Sequence, residues 1–213
     1  MNIVIFGATG GTGRHLVDQA LAAGHHVAAL VRTLASLPLT HGRLRVVQGD
    51  VRDPDQVGGT IAGHDAVVSA LGPNQRGPVS LCTAAIAAIL PAMARHEVRR
   101  LIVLSAYGAA DSHHRNLYNR LLWLIQKEKM LDKERMEALI RQSDTAWTIV
   151  RPAALSNGPR TGRYRLGTDL RLRVTATIAR ADLAAGLLRQ LTDTTYLRQT
   201  PAITACVQER STP

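Results

Sequence analysis

A short β-branched strand that runs straight into a glycine-rich turn and then into an alanine- and leucine-rich helix constrains this chain more than any other stretch. The strand is Asn2-Ile3-Val4-Ile5-Phe6, the turn is Gly7-Ala8-Thr9-Gly10-Gly11-Thr12-Gly13, and the helix is expected from about Arg14 to Ala23, with Gly24 closing it. In such a turn one glycine permits the reversal, the next lets a pyrophosphate approach the backbone, and the third packs helix on strand. Phosphates then sit on the helix N-terminus, where unpaired N–H groups and the helix dipole both favour negative charge. A purely structural turn is the alternative; the flanking strand and helix are the context that nucleotide binding requires.

The second strand narrows the ligand. Where an NAD site places an acidic residue to hold the ribose hydroxyls, this chain reads His26-Val27-Ala28-Ala29-Leu30-Val31-Arg32-Thr33. A guanidinium at Arg32 grips a phosphate through two parallel N–H bonds, and Thr33 adds a hydroxyl donor. The expected cofactor is therefore NADP(H) rather than NAD(H), with a merely solvated arginine as the alternative.

With 213 residues, 46% of them hydrophobic, the chain suits one domain with a sizeable core. No uncharged apolar run of about 18 residues is present, and the N-terminus enters the fold as a strand, so neither a membrane span nor a signal peptide is expected and a cytoplasmic location follows. Cys82 and Cys206 lack metal-type spacing and read as free thiols. The formal charge of +10 raises the question of nucleic acid, but aromatics are 3% and the basic residues are dispersed. No nucleic-acid partner is expected; the excess suits an anionic cofactor or substrate. A monomer or weak homodimer is expected.

Strands and helices alternate onward. Leu44 to Gln48 reads as a third strand, Asp53-Pro54 starts a helix, Ala66 to Ala70 is a strand, Val79 to His96 a helix that must absorb Pro91, and Leu101 to Leu104 a fifth strand. A long helix is expected from about Asn116 to Gln142, a sixth strand over Ala146 to Val150, loops and a short hairpin around Gly158, Pro159, Gly162 and Gly167, a last helix from Arg180 to about Leu191, and a final strand over Ala202 to Val207. The pattern predicts a Rossmann-like doubly wound parallel sheet, an α/β single domain with a small C-terminal substrate-side extension. Residues to about 110 would form the cofactor half and the remainder the substrate-side half, and ligands would bind at the strand carboxyl ends, which gathers Gly7 to Gly13, Arg32, Asp50, Gly72 and Ser105 on one edge.

These stretches together resemble the atypical short-chain dehydrogenase/reductases, within them the group containing flavin reductase/biliverdin reductase B and related bacterial NAD(P)H-binding proteins. The similarity rests on Phe6 to Gly13, Leu30-Val31-Arg32, Gly49-Asp50-Val51, Asp65 to Val68 with Leu71-Gly72, Ser105-Ala106-Tyr107-Gly108, and Trp147-Thr148-Ile149-Val150-Arg151-Pro152. The resemblance implies that the turn bearing Gly7, Thr9, Gly10, Gly11, Thr12 and Gly13 holds the pyrophosphate and that Arg32 with Thr33 meets the 2′-phosphate. It further implies Asp50 and Val51 beside the adenine, Leu71 and Gly72 along the ribose and nicotinamide side, Ser105 near the nicotinamide ribose and substrate, and Pro152 with Ala153 against the carboxamide. Ala154 stands where the vertebrate enzymes carry a histidine and Asn74 near their arginine, departures that bear on the acceptor and leave cofactor binding untouched.

Ordinary short-chain dehydrogenases use a Tyr-x-x-x-Lys pair on one helix face. That pair is missing: Tyr118 is followed four residues on by Leu122, and Tyr107 by Asp111. The remaining catalytic candidates are Ser105, Tyr107 and Lys133. Lys133 lies where relatives carry a basic residue facing the site; alternatively it is a surface charge paired with Glu137. Ser105 either meets the acceptor or carboxamide or satisfies backbone at a strand end. Without a dedicated acid, hydride transfer suits acceptors whose reduced form is stabilised by conjugation, such as flavins, quinones or linear tetrapyrroles, with protons from water and the protein supplying orientation. A pathway-specific NAD(P)-dependent reductase or isomerase and a non-catalytic NmrA-like redox sensor are the competing readings. Adjacent His113 and His114 do not make a metal site. Tyr118, Leu121, Leu122, Trp123 and Ile125 are candidate lid residues or ordinary helix packing.

Overall fold

A computed structural model describes residues 1–72, 79–110, 117–173 and 175–206, with the side chains of 117–125 outside the description. Asn74, Asp111, His113 and His114 thus lie outside the described residues, as do the side chains of the candidate lid residues from Tyr118 to Ile125.

Ten strands and five helices are described: β1 (Asn2–Phe6), α1 (Gly11–Ala22), β2 (His26–Val31), β3 (Leu44–Gln48), α2 (Pro54–Ile61), β4 (Ala66–Ser69), α3 (Leu81–Arg95), β5 (Arg100–Leu104), α4 (Leu117–Arg141), β6 (Ala146–Pro152), β7 (Ala154–Ser156), β8 (Tyr164–Gly167), β9 (Thr177–Ala179), α5 (Arg180–Arg189) and β10 (Ala202–Ala205). Eight strands form one sheet in the order β3-β2-β1-β4-β5-β6-β10-β8. All neighbours run parallel except β8, which closes the edge antiparallel to β10. The chain order reverses between β1 and β4, the switch point beside which sheets of this kind have their crevice at the strand carboxyl ends.

Alternation along each strand assigns the two faces. Ile3 and Ile5 of β1 meet Leu16, Val17 and Ala20 of α1 and Leu183, Ala184 and Leu187 of α5. Val4 and Phe6 face the other way, into Val57, Ile61, Ile86, Ile89, Met93, Met136 and Ile140 from α2, α3 and α4. Phe6, the one phenylalanine of the chain, is fully buried there. Short Ala, Val and Ile side chains keep these layers close, so the helix termini stand near the strand ends.

Several expectations shift in detail. Helix α1 begins at Gly11 rather than Arg14, because the second half of the glycine turn already adopts helical geometry and forms the first turn. Strand β6 continues through Arg151 and Pro152, which pair with Ala202 and Ile203 of β10. The expected hairpin is replaced by long-range pairing. β8 pairs with β10, and β7 lies parallel to β9 in a separate two-stranded sheet. Gly158 and Gly162 mark the connection without joining antiparallel neighbours. Pro91 sits within α3 on its exposed side, where the missing N–H costs the core nothing. Asp53 caps α2 by accepting from the N–H groups of Asp55 and Gln56, with Pro54 at the first turn. No helix among the described residues is long and apolar enough to cross a membrane.

Candidate active site

The glycine turn has three different constraints. Gly7 takes φ +82°, and a Cβ there would lie 2.8 Å from the carbonyl carbon and oxygen of Ala70, so only glycine lets the turn pass this close to the backbone that follows β4. A Cβ on Gly13 would lie 2.0 Å from Gly7 O, so this glycine seats α1 against the turn. Gly10 differs. It has φ −73°, and its would-be Cβ meets only Gly7 O, at 3.4 Å, with the remaining side open. Gly10 is also the N-cap of α1 and supplies no side-chain cap, so the first N–H groups of the helix remain for a ligand. One glycine for the turn, one for packing and one for close approach is the cradle a dinucleotide diphosphate requires, and the residues fit it.

Arg32 and Thr33 follow β2 and are exposed. Arg14 braces this corner from α1, donating through Nε to Thr9 O at 3.2 Å and through Nη2 to Ser36 O at 3.0 Å. Asp50 lies beside them at the end of β3, held by Gln56, whose side-chain oxygen accepts from the Asp50 N–H at 2.8 Å. The Arg52 guanidinium donates to both Asp50 oxygens, and these bonds draw the Asp50 carboxyl down to about 2. Val51 is half-buried next to it.

The other half of the edge is a buried polar layer. Lys133 is 7% exposed and donates to the carbonyls of Leu71 at 2.8 Å and Leu104 at 2.7 Å, thereby tying together the ends of β4 and β5. It is not a surface charge, and it does not pair with Glu137. Glu137 is fully buried and accepts from the Ser105 hydroxyl at 2.6 Å, from Arg151 Nε at 3.1 Å and Nη2 at 2.6 Å, and from Arg141 at 3.0 Å. The Ser105 hydroxyl therefore serves a carboxylate rather than backbone. Asp132, the residue before Lys133, reaches across to the start of α3 and accepts from the N–H groups of Cys82 and Thr83 and from the Thr83 hydroxyl. Burial works to raise the Asp132 carboxyl; the hydrogen bonds outweigh it and hold the group below its ordinary value. Burial raises the Cys82 thiol, which keeps it a thiol.

Tyr107 follows on the same edge. Its backbone N–H donates to Pro152 O at 3.2 Å, and its hydroxyl accepts from the Leu172 N–H at 3.4 Å. Ala153 is buried, with Leu172 and Ala202, against Tyr107 and Leu170. The structure thus brings Ser105, Tyr107, Lys133, Leu71, Pro152 and Ala153 together on one side of the crevice and places Arg32, Thr33, Asp50 and Val51 at the far end of the glycine turn. Among the described residues no cluster of His, Cys, Asp and Glu is arranged to hold a metal.

Sequence reasoning passed over three members of this layer. Arg151 stands inside an apolar strand, and an ionisable residue in such a run requires a buried partner; that was the available signal. Glu137 was visible only as a neighbour of Lys133, and Asp132 not at all, since their partners come from other elements.

An open glycine cradle at the switch point of a parallel sheet, with a basic corner after the second strand, defines a nicotinamide-dinucleotide-binding Rossmann protein. Residues 7–194 match the NAD(P)H-binding family, and the chain belongs to it. Solved structures agree on the fold. An oxidoreductase, ylbE, from Lactococcus lactis superposes with a TM-score of 0.85 at 18% identity, covering 97% of this chain and 91% of that one. ChuY, an anaerobilin reductase from Escherichia coli O157:H7, gives 0.84 at 20% identity over 100% of both chains. A short-chain dehydrogenase/reductase from Veillonella parvula in complex with NADP gives 0.80 at 21%, covering 95% and 93%. What these structures share with the chain is the Rossmann-like α/β fold.

Proposed function

We propose that the protein is an NADPH-dependent reductase of a planar, conjugated acceptor of the flavin, quinone or tetrapyrrole type. The observation that carries this reading is the fate of the Ser105 and Lys133 polar hydrogens at the crevice. The Ser105 proton is directed to Glu137, and Lys133 donates to two backbone carbonyls. Neither is presented as a dedicated acid. An acceptor that delocalises the added charge and takes its proton from water needs none.

In this reading Gly11 and Thr12 offer backbone N–H groups to the diphosphate, the Gly10 N–H being used within the turn by Gly7 O, and Arg32 with Thr33 takes the 2′-phosphate. Lys133, Glu137 and Arg151 hold the ends of β4, β5 and β6 in fixed relation, so that Leu71, Ser105 and Pro152 line one wall at constant spacing. The bound nicotinamide supplies a hydride to the acceptor. Ser105, with its proton on Glu137, keeps lone pairs for a donor on the ligand. An NADP-bound protein and an anaerobilin reductase among the proteins of this fold support the choice of cofactor and of acceptor class.

The test is oxidation of NADPH, followed by its absorbance, over a panel of flavins, quinones and linear tetrapyrroles. Turnover with at least one is expected. Tight NADPH binding with no oxidation by any of them would overturn the reductase reading in favour of a sensor.

A further inference from the structure

Arg180 opens α5, far from the glycine turn in sequence, yet its side chain lies across the start of α1. A Cβ on Gly11 would stand 2.8 Å from both Cδ and Nε of Arg180, so the arginine stem packs on the helix terminus as closely as a glycine permits. Its guanidinium is held from one side only, by Nη1 donating to the Asn157 side-chain oxygen at 2.6 Å. That partner is neutral, and among the described residues Arg180 has no ion pair. The acid nearest in the helix, Asp182, is 1% exposed and already accepts from the Thr161 hydroxyl and the N–H groups of Thr161 and Gly162. It pins the loop and leaves the guanidinium charge in place.

The placement is rigid. Leu183, Ala184 and Leu187 of α5 pack into the same core as Leu16, Val17 and Ala20 of α1, and Gln19 donates to Ala181 O at 2.8 Å. A cation therefore stands beside an uncapped helix N-terminus whose dipole repels it, a repulsion that an anion lying between them would relieve.

We propose that Arg180 is a diphosphate ligand, an arm from the C-terminal part of the chain that closes over the cofactor opposite the glycine turn, with Asn157 positioning it. This rests on the dinucleotide reading above. It adds what that reading lacks, since Arg32 recognises the 2′-phosphate while Arg180 recognises the diphosphate common to NADPH and NADH.

Calorimetry on the full chain separates the two with three probes: ADP-ribose, which has the diphosphate alone; adenosine 2′-monophosphate, which has the 2′-phosphate alone; and NADPH. In Arg180→Met, affinity for ADP-ribose and NADPH is expected to fall roughly tenfold to a hundredfold, the loss of one charged hydrogen-bonding partner. Adenosine 2′-monophosphate should bind as before. Asn157→Asp keeps the shape and neutralises the guanidinium, so it should weaken ADP-ribose with the melting temperature unchanged, which provides a second test should Arg180→Met fold poorly. Unchanged ADP-ribose binding in either folded variant, or an equal loss for all three probes, overturns the assignment. Wild-type protein that binds ADP-ribose without preferring NADPH to NADH would remove the phosphate preference and leave Arg180 in place; wild type that binds none of the probes would remove the dinucleotide reading itself.

Discussion

The Ser105 hydroxyl donates to Glu137 Oε1 at 2.6 Å, and the same oxygen accepts from Arg151 Nε at 3.1 Å, so the end of β5, the C-terminal part of α4 and β6 share one buried carboxylate. Two bonds from Arg151 make the pair bidentate, the geometry in which a buried charge is best compensated.

Removing the carboxylate leaves the Arg151 cation buried at 4% exposure. Glu137→Ala should therefore cost about 3–5 kcal/mol in denaturant unfolding. Ser105→Ala removes one donor and keeps the ion pair, so it should cost about 1–3 kcal/mol. In a double-mutant cycle the two losses should not add, because the serine has no partner once the carboxylate is gone. Additive losses would show that the two side chains act independently.

The glycines of the turn should separate by experiment into structural and ligand-facing ones. Gly13→Ala places a methyl 2.0 Å from Gly7 O, backbone that cannot yield without moving α1, and should destabilise by about 3 kcal/mol. Gly10→Ala meets only a 3.4 Å contact at a φ that alanine adopts, so its cost in stability should stay below about 1 kcal/mol. Its methyl projects where the diphosphate would approach, and NADPH affinity should drop by about 1.4 kcal/mol or more, a factor of ten. Thermal melts alongside NADPH titrations decide this; a Gly10→Ala protein that binds NADPH normally would show that the cradle is only a turn.

How much of this was legible beforehand follows from what is local. The strand, turn and helix from Asn2 to Ala22 could be read because hydrophobic alternation, glycine placement and helix periodicity all act within a few residues. So could the Asp53-Pro54 helix start. The β7 and β9 pairing could not, because Ala154 to Ser156 and Thr177 to Ala179 carry no turn signal linking them. The Glu137 layer and the Arg180 arm were hidden for the same reason. A charged residue in sequence shows that it needs a partner, and only the fold shows which.

Asp132 makes α3 sensitive to acid. It caps α3 from α4 through the Cys82 and Thr83 N–H groups, both at 2.9 Å, where the Ser80 side chain provides no cap. Its folded pKa is lowered. A carboxylate depressed in the folded state contributes stability above its unfolded value of 3.8, and that contribution disappears as pH falls through the folded value. Asp132→Asn should therefore be less stable than wild type by about 1–2 kcal/mol at pH 7, since an amide accepts through one oxygen only. The gap should narrow progressively below pH 3.8. A gap that stays constant from neutral pH down into that acid range would show that the carboxylate charge plays no part.

At the far corner, Asp50 and Arg32 oppose one another in what they would select. A carboxylate there favours ribose hydroxyls and repels a 2′-phosphate, but Arg52 holds Asp50 in a bidentate pair that brings its carboxyl to about 2. Both side chains are open to solvent, so the pair contributes little to folding. Its consequence would lie in selectivity: in the NADPH reading proposed above, masking Asp50 leaves the Arg32 guanidinium for the phosphate. Arg32→Ala should lower NADPH affinity by about 1.5–3 kcal/mol and leave NADH unchanged. Arg52→Ala should act in the same direction more weakly, by exposing the Asp50 charge, and should let the Asp50 carboxyl return toward 3.8 in a carboxyl-carbon NMR titration. An Asp50 titration unmoved in Arg52→Ala, with an unaltered NADPH to NADH ratio in both variants, would place the 2′-phosphate contact on other residues.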